Sequence, residues 1–235
     1  MSRVVRTLLV LAIACMTVGA VVVAPAAPAE AASHRFLMLP FHSASTKKIQ
    51  EGFMWTGCCH VPIHGGIDYI QGTLDRSATW KSFPVYAAAS GLACSQVAST
   101  QKGCISGVGN RVLIKTKVDG RVYYHYYGHF KWMVSRIPRG GAKVHVNRGD
   151  LLGYSGYSGD PCCVIHLHFQ LMSGAWKNID PYGLYATRSH YPNPAGTNGK
   201  HNGSPSYWLT DPPRTVTASK AASVAARAPT TVLLT

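Results

Sequence analysis

The sequence predicts an all-β domain over residues 45–186, built as an antiparallel β-sheet or sandwich with long loops. Residues 111–118 and 121–130 alternate apolar and polar side chains with the period of two that is typical of strands. Asp119-Gly120 lies between them and is a strong signal for a two-residue hairpin turn. The middle of the chain shows almost no 3.6-residue period, which argues against helices. We therefore expect short strands separated by glycine turns.

Further strands are expected on both sides of this hairpin. Residues 85–92 (VYAAASGL) predict a strand closed by a Ser-Gly turn, and residues 144–149 and 151–153 frame another turn. Residues 71–83 are mostly polar and predict an inserted loop. The pattern closes at residues 180–183 (DPYG), whose aspartate precedes proline as in many turns.

The first 31 residues predict a cleaved secretory signal peptide. Arg3 and Arg6 provide a basic start, residues 7–23 are an apolar run, and Ala29-Glu30-Ala31 is a small-x-small cleavage site. A retained membrane anchor is the alternative, but the Pro-Ala-rich exit from the apolar run favours cleavage. We expect a secreted bacterial protein, extracellular or associated with the cell wall, with no stable membrane insertion once the signal is removed.

Two flanking segments are expected outside the domain. Residues 32–44 form a leading segment with few structural signals. Residues 187–235 are rich in Pro, Asn, Gly, Ser, Thr and Ala, and predict an extended, disordered C-terminal tail. We expect the mature protein to be a monomer.

The cysteines predict disulfide bonds. Signal cleavage leaves an even number of them, Cys58, Cys59, Cys94, Cys104, Cys162 and Cys163, and export places them in an oxidising compartment. Cys94 and Cys104 could bridge a loop between two strands. Each adjacent pair precedes a histidine motif, so the two pairs could cross-link to each other if those motifs meet. Zinc binding by thiolates is the alternative, disfavoured because adjacent cysteines are poorly spaced to chelate.

The charge of the chain indicates an anionic partner. Lys and Arg number 23 against 9 Asp and Glu, a formal net charge of +14, and such a surface attracts polyanions. The sequence has no basic cluster of the density that nucleic acid requires, and the protein is expected to leave the cell. Anionic cell-wall polymers fit better, and simple solubility is the alternative explanation of the charge.

A histidine pair in a predicted strand is the first candidate for a functional site. A strand through residues 164–170 would place Leu167 and Phe169 in the core, and His166 and His168 on the other face about 7 Å apart. Paired imidazoles suit a metal or proton transfer better than a core. Two solvated surface histidines are the alternative.

A second cluster supplies an acidic ligand. Asp68 stands four residues after His64 across Gly65-Gly66, whereas the other acids lie mainly beside glycine or proline in turn-like contexts. His64, Asp68 and one later histidine give two nitrogens and one oxygen. This set suits Zn²⁺ with an open position for water, and fits calcium or magnesium less well.

The order and spacing of these motifs resemble a known family. His64-x-x-x-Asp68 is followed far downstream by His166-x-His168, and between and around them stand VYAAASG, GVGNRVLIKTKVDG, YYGHF, GDLLGYSGYSG and IDPYG. In this order the chain is similar to the lysostaphin/LytM type of zinc endopeptidase, which cuts peptidoglycan cross-bridges, over roughly residues 60–183. The resemblance implies the LytM type of β-fold.

The resemblance also implies roles for five residues. His64, Asp68 and His168 would hold Zn²⁺, and His129 and His166 would be the catalytic histidines of a peptidase that attacks stem or cross-bridge peptides with a zinc-activated water. The sequence has no HExxH motif, so a histidine must take the proton that a glutamate accepts in other zinc peptidases. A non-catalytic wall-binding or hydrolase-activating relative, and a peptidase for Gly-rich proteins, are the alternatives.

Other positions carry weaker expectations. His125 is expected to be a groove or surface residue, and His60 a surface residue. Where the family usually has Ser-Thr-Gly-Pro before the histidine pair, this chain has Asp160-Pro161-Cys162-Cys163. The segment between Asp68 and residue 85 is also longer than in compact members, so substrate preference is where this chain is expected to differ.

Overall fold

Antiparallel β-strands make up nearly all of the regular secondary structure in the described part of the chain. The structure, a computed structural model, describes residues 35–55, 63–97, 109–140, 142–160, 164–183, 206–210 and 213–217. The predicted signal peptide, which contains Cys15, lies outside these ranges, as do Cys58, Cys59, Cys104, Cys162 and Cys163. No helix in the described ranges has the length and apolar character needed to cross a bilayer.

Eleven strands and one turn of 3₁₀-helix (Ser77–Thr79) make up the described structure. The strands are β1 (Lys48–Glu51), β2 (Ile67–Ile70), β3 (Pro84–Tyr86), β4 (Gly91–Gln96), β5 (Arg111–Val118), β6 (Arg121–Gly128), β7 (Phe130–Met133), β8 (Val144–Val146), β9 (Leu151–Ser155), β10 (Leu167–Ser173) and β11 (Asn178–Ile179).

Two sheets account for all of these strands. The larger has the order β1-β2-β10-β6-β5-β4-β8, and β11 pairs with β10 beyond the end of β2. The smaller has the order β3-β9-β7. Every pairing between these strands is antiparallel. The prediction of an all-β antiparallel fold is confirmed.

The central hairpin forms where the sequence predicts it. β5 and β6 pair from Val112–Tyr127 to Val118–Arg121, joined by Asp119 and Gly120. Both turn residues have positive φ, 47° and 79°, as this type of two-residue hairpin requires. Alternation along β5 buries Val112 and Ile114 completely, so one face of the hairpin covers the core.

The predicted strand over residues 85–92 is interrupted. β3 ends at Tyr86 and β4 begins at Gly91, and Ala87, Ala88 and Ala89 between them are buried without belonging to a strand. Small side chains let this crossing segment pass through the core, where the backbone N–H of Ala87 donates to the carbonyl of Asp150. The loop over residues 71–83 is present, and its Trp80 donates from Nε1 to the carbonyl of Thr73.

The predicted domain limits of 45 and 186 are too narrow. Phe36, Leu37 and Phe41 from the leading segment are buried in the hydrophobic core. Trp208 from the predicted disordered tail is fully buried, stacks on Phe169 at 5.8 Å and forms a parallel bridge with Leu37. For residues 206–210 and 213–217 the prediction of disorder is therefore wrong, because their apolar side chains complete the core that the sheet leaves open.

The expectation that His125 is a groove or surface residue is also wrong. Its side chain is fully buried, and burial lowers its pKa to about 3. The Thr116 hydroxyl donates to the carbonyl of Ser90 and accepts from His125 Nε2 at 2.8 Å, while the Tyr127 hydroxyl donates to His125 Nδ1 at 2.8 Å. A neutral imidazole is thus satisfied at both nitrogens, which lets it remain in the core.

Candidate metal centre and adjacent histidines

Strand pairing places Asp68 and His168 directly opposite each other. β2 and β10 are neighbours, and their antiparallel register aligns His168 with Asp68 and Phe169 with Ile67. Opposite residues on one face of a sheet have side chains within contact distance. Leu167 and Phe169 are fully buried on the other face, as the alternation along this strand predicts.

His64 reaches the same place through the turn that precedes β2. The glycine pair after it lets the backbone pass close to β10: a Cβ at Gly66 would lie 2.6 Å from the carbonyl oxygen of Phe169 and 2.8 Å from the His168 ring. A Cβ at Gly65 would lie 2.6 Å from Asn178 Nδ2. Residue 66 therefore requires glycine, because a Cβ there would meet backbone of β10, whereas at residue 65 it would meet only the flexible end of the Asn178 side chain.

Three donor atoms converge in the resulting cluster. His64 Nε2 lies 3.0 Å from His168 Nδ1 and 3.2 Å from Asp68 Oδ1, and His168 Nδ1 lies 3.0 Å from Asp68 Oδ1. The three side chains are buried and their ligand atoms form a potential metal site. The sequence predicted this set of residues, and the structure brings them together.

Hydrogen bonds on the far side of each ring decide which nitrogen faces the cluster with a lone pair. His64 Nδ1 must donate to the carbonyl of Gly52 at 2.9 Å, which leaves a lone pair on Nε2 of the neutral ring. His168 Nε2 lies 3.1 Å from the amide oxygen of Gln170 and donates to it, which leaves the lone pair on Nδ1. Two lone pairs and a carboxylate oxygen then face one another, an arrangement that requires a cation among them.

The protonation of the cluster without metal agrees with this geometry. Burial alone would disfavour the charged form of His64, but Asp68 and the Gly52 carbonyl outweigh it and raise the pKa of His64 to about 9. Burial likewise opposes ionisation of Asp68, yet His64 and His166 hold the pKa of this carboxyl well below its usual range. Without metal, a proton on His64 therefore lies among the three donor atoms. A divalent cation bound there would take the place of this proton, and the donor set fits Zn²⁺.

His129 stands beside the cluster because the backbone changes direction after β6. Its φ of 64° is in the left-handed region, which is uncommon for a residue other than glycine. Alternation along residues 121–130 alone would put His129 on the same face as Tyr123, His125 and Tyr127, which are buried in the core. The reversal instead turns His129 toward His166, with ring centroids 4.3 Å apart.

The state of His129 suits a proton acceptor. Burial, reinforced by the neighbouring His166 and His168, holds the pKa of His129 well below its usual range, so the ring is neutral at pH 7. Its Nδ1 donates to the carbonyl of Ser158 at 2.9 Å, which leaves Nε2 with a lone pair. A neutral, oriented imidazole can accept a proton from a reacting group.

His166 is held from the loop that precedes β10. Its backbone forms a bridge with Gly156, and its Nδ1 donates to the carbonyl of Val164 at 2.9 Å. Its Nε2 consequently carries a lone pair and lies 3.7 Å from Asp68 Oδ2. His129 and His166 are therefore adjacent, and both border the three candidate ligands.

Two residues at the site were missed by the sequence reasoning. Asp160 was predicted to be a turn residue, but it is buried, accepts from the backbone N–H of Val164 at 2.9 Å and lies 3.8 Å from His166 Nδ1. Gln170 follows the histidine pair with the same period of two, which is a signal that could have placed it on the site face. His60 and the adjacent cysteine pairs lie outside the described residues, whereas Cys94 is half-buried in β4.

Comparison with known proteins gives structural likenesses at low identity. No family model matches the chain, and no curated protein does. A zinc-containing peptidase from Vibrio cholerae aligns with 62% of this chain and 39% of its own, at 21% identity and a TM-score of 0.44. The catalytic domain of a mutant of the prophage-encoded M23 protein EnpA from Enterococcus faecalis aligns with 61% of this chain and 95% of its own, at 23% identity and a TM-score of 0.41.

A third solved structure, LytU, aligns with 58% of this chain and 82% of its own, at 23% identity and a TM-score of 0.38. The alignment with the Vibrio peptidase covers only 39% of that protein, so this chain spans well under half of its length. Every one of these TM-scores is below 0.5, and the function of the protein is therefore inferred from the chemistry of its own site.

Proposed function

We propose that this protein is a secreted, zinc-dependent endopeptidase of the LytM type that hydrolyses peptide bonds in bacterial peptidoglycan. The observation that carries the proposal is the cluster of His64 Nε2, His168 Nδ1 and Asp68 Oδ1, within about 3 Å of one another, beside two further histidines. Structural histidines seldom present two lone pairs to each other in a buried site, because each buried acceptor needs a donor or a cation.

The donor set favours zinc among the common divalent metals. Two imidazole nitrogens and one carboxylate oxygen are borderline ligands, whereas calcium and magnesium prefer oxygen alone. Three protein ligands leave a fourth position open, as in catalytic zinc sites. Bound there, Zn²⁺ would polarise a carbonyl and lower the pKa of water towards neutrality.

The protein itself supplies orientation and a proton acceptor. Gly52 and Gln170 fix the rings of His64 and His168 through hydrogen bonds to their outer nitrogens, which keeps the inner nitrogens aimed at one point. Neutral His129, with its Nε2 free of a proton, is suited to take one from the attacking water. Once protonated, His166 beside it can donate a hydrogen bond to the former carbonyl oxygen or to the leaving amine as the peptide bond breaks.

The substrate follows from chemistry outside the cluster. A predicted signal peptide and a net charge of +14 support a target that is extracellular and associated with anionic polymers. The motif series shared with lysostaphin/LytM peptidases supports a peptide within the cell wall. We further propose that the mature protein acts as a monomer, binds anionic wall polymers through its basic surface and has no nucleic-acid partner.

Digestion of purified peptidoglycan by the mature protein tests the proposal. The wall is incubated with protein alone, with a zinc chelator, and with chelator followed by excess Zn²⁺, and the products are read by mass spectrometry. New peptide amino termini that disappear with chelator and return with zinc are expected. An intact wall in the presence of stoichiometric bound zinc would contradict the wall substrate, and a Gly-rich protein digested in parallel would show whether a peptidase acts elsewhere.

A further inference from the structure

A groove runs along the large sheet beside the metal cluster. It encloses about 410 Å³ and is lined by side chains of four neighbouring strands, β4, β5, β6 and β10, and of the turn after β10: Cys94, Gln96, Arg111, Leu113, Tyr126, Gln170, Met172 and Trp176. Its floor is the face of the sheet that carries His168 and Gln170, the face opposite the hydrophobic core. A cavity of this size can hold several residues of a peptide.

The groove is continuous with the candidate active site. Gln170 lines it and accepts the hydrogen bond from His168 Nε2 at 3.1 Å, while its own amide nitrogen donates to Asn178 Oδ1 at 2.6 Å. Tyr126 also lines it, with its ring 6.3 Å from the His168 ring. A chain that lies in the groove therefore passes directly beside a metal ligand.

Arg111 places a positive charge on the groove wall. Its Nε donates to Gln96 Oε1 at 2.5 Å, and its guanidinium carbon lies 6.0 Å from the centre of the Tyr126 ring. Both partners are neutral at pH 7; burial raises the pKa of the Tyr126 hydroxyl to about 12. These contacts orient the guanidinium without neutralising it.

No carboxylate balances this charge within the described lining of the groove. The segment 98–108, which connects the two strands carrying Gln96 and Arg111, contains no Asp or Glu in its sequence. A guanidinium with neutral protein partners retains donors for a carboxylate, which it can bind in a bidentate fashion.

The distances set where such a carboxylate would lie on a substrate. Tyr126 stands between Arg111, at 6.0 Å, and His168, at 6.3 Å. An extended peptide rises about 3.3 Å per residue, so a peptide cut at the metal centre would reach Arg111 within about four residues of the scissile bond.

The groove is also lined by an exposed tryptophan, Trp176, which packs on a tyrosine beside the groove. Trp176 stacks on Tyr124 with ring centroids 4.0 Å apart and is 56% exposed. Its φ of 60° is a strained value for tryptophan, and such strain is found preferentially at binding sites. The pair offers a flat apolar surface against which a bound peptide can pack.

We propose that Arg111 is a specificity-determining residue that binds a carboxylate of the peptide substrate, within about four residues of the bond that is cut. The proposal deepens, and rests on, the assignment of the neighbouring cluster as a peptidase site. The carboxylate is either on a side chain or at a free C-terminus of the substrate. Arg111 selects acidic peptide over its neutral amide and takes no part in bond cleavage itself.

The test uses one peptide in three charge states. A synthetic cross-linked stem-peptide dimer is prepared with all carboxylates free, with its glutamate carboxylate amidated, and with its C-terminus amidated. Cleavage by the zinc-loaded mature protein gives kcat/KM for each form. Binding of the same three forms to the zinc-loaded His129→Ala variant is measured by calorimetry, which does not depend on turnover.

The variants are chosen to separate charge from folding. Arg111→Gln removes the charge, Arg111→Lys retains it, and Lys115→Gln is the matched control. Lys115 lies four residues further along the same face of β5 and does not line the groove. Circular dichroism and thermal unfolding of each variant confirm that the fold is retained.

We expect wild type to prefer one free-carboxylate form over the matching amide by about 10- to 100-fold, the range for a charged hydrogen bond. Arg111→Gln should lose this preference, Arg111→Lys should recover part of it, and Lys115→Gln should keep it. The amide that abolishes the preference identifies the carboxylate as side chain or terminus.

Equal kcat/KM for all three forms, or an unchanged preference in Arg111→Gln, would overturn the role of Arg111 and leave the peptidase assignment intact. If neither the dimer nor purified wall is cleaved, the assignment as a peptidoglycan peptidase fails, and calorimetry then tests the role of Arg111. Tighter binding of the acidic form that Arg111→Gln abolishes would then support the carboxylate site, and equal binding of all forms would overturn it.

Discussion

His64 Nε2 lies 3.0 Å from His168 Nδ1, and hydrogen bonds to Gly52 and Gln170 on the outer nitrogens leave both facing atoms with lone pairs in the neutral rings. Asp68 Oδ1 completes a triangle of acceptors. Such a triangle is stable only around a proton or a metal cation. This single relationship explains the raised pKa of His64 without metal and predicts where Zn²⁺ binds.

Removal of a ligand should abolish zinc binding and activity together. His168→Ala or Asp68→Ala leaves two donors, too few for a tight zinc site. Metal analysis after dialysis should fall from about one zinc per protein to background, and peptidoglycan digestion should be lost. His145→Ala, an exposed position on β8, is the control and should retain both. Full metal content in either ligand variant would refute the ligand set.

His129→Ala should separate metal binding from turnover. His129 borders the cluster without belonging to the triangle, so the variant should bind zinc as wild type does. Loss of a general acid–base group should lower kcat by about 10²- to 10⁴-fold. Metal analysis and digestion kinetics measure the two properties on the same sample. A variant of undiminished activity would exclude His129 from catalysis.

Gly66→Ala should distort the cluster without removing a ligand. Its Cβ would lie 2.6 Å from the carbonyl oxygen of Phe169 and 2.8 Å from the His168 ring, so β2 or the ring must shift. We expect weaker zinc binding and a loss of about 1–3 kcal/mol in the free energy of unfolding, measured by zinc titration and urea denaturation.

Gly174→Ala is the matched control for Gly66→Ala, because its Cβ would approach no atom closer than 3.2 Å. It should leave zinc affinity unchanged. Equal zinc affinity in the two variants would show that the glycine pair has no role in shaping the site.

Buried His125 should make the protein less stable in acid. Its pKa is about 3 when folded, against about 6.5 when unfolded. Between these values only the unfolded chain binds the proton. The contribution of His125 to the free energy of unfolding is therefore complete above about pH 6.5 and falls by about 1.4 kcal/mol per pH unit towards pH 3. Urea denaturation of wild type and His125→Gln across pH 4–7 should show a shallower slope for the variant. Parallel slopes would mean that His125 does not titrate on unfolding.

The cysteines of the mature protein should all be oxidised. Export and their even number predict disulfides, and Cys94 occupies a half-buried position in β4. Mass mapping of unreduced peptides, after alkylation in denaturant, should find no modified cysteine among the six. An alkylated Cys94 would exclude the predicted bridge to Cys104, and an alkylated Cys58 or Cys163 would exclude the cross-link between the adjacent pairs.

Local pattern was sufficient to predict most of the β-structure. Alternation along residues 111–118 and the Asp119-Gly120 turn specify the central hairpin, because strand period and turn geometry depend on neighbours in sequence. The burial of Phe36 and Trp208 in the core was not predicted. Each lies in a short apolar segment without a strand or helix period, and each is buried by residues far away in the sequence.

The sequence by itself determined the chemistry available at the site: His64, Asp68, His129, His166 and His168, in an order and spacing similar to those of zinc peptidases. Tertiary structure alone decided how they meet. The register of β2 against β10 sets Asp68 opposite His168, and a left-handed backbone at His129 turns that ring out of the core face. The lone pair of His64 faces the cluster only because the fold brings the Gly52 carbonyl, 12 residues away, against the outer nitrogen of that ring, which donates to it.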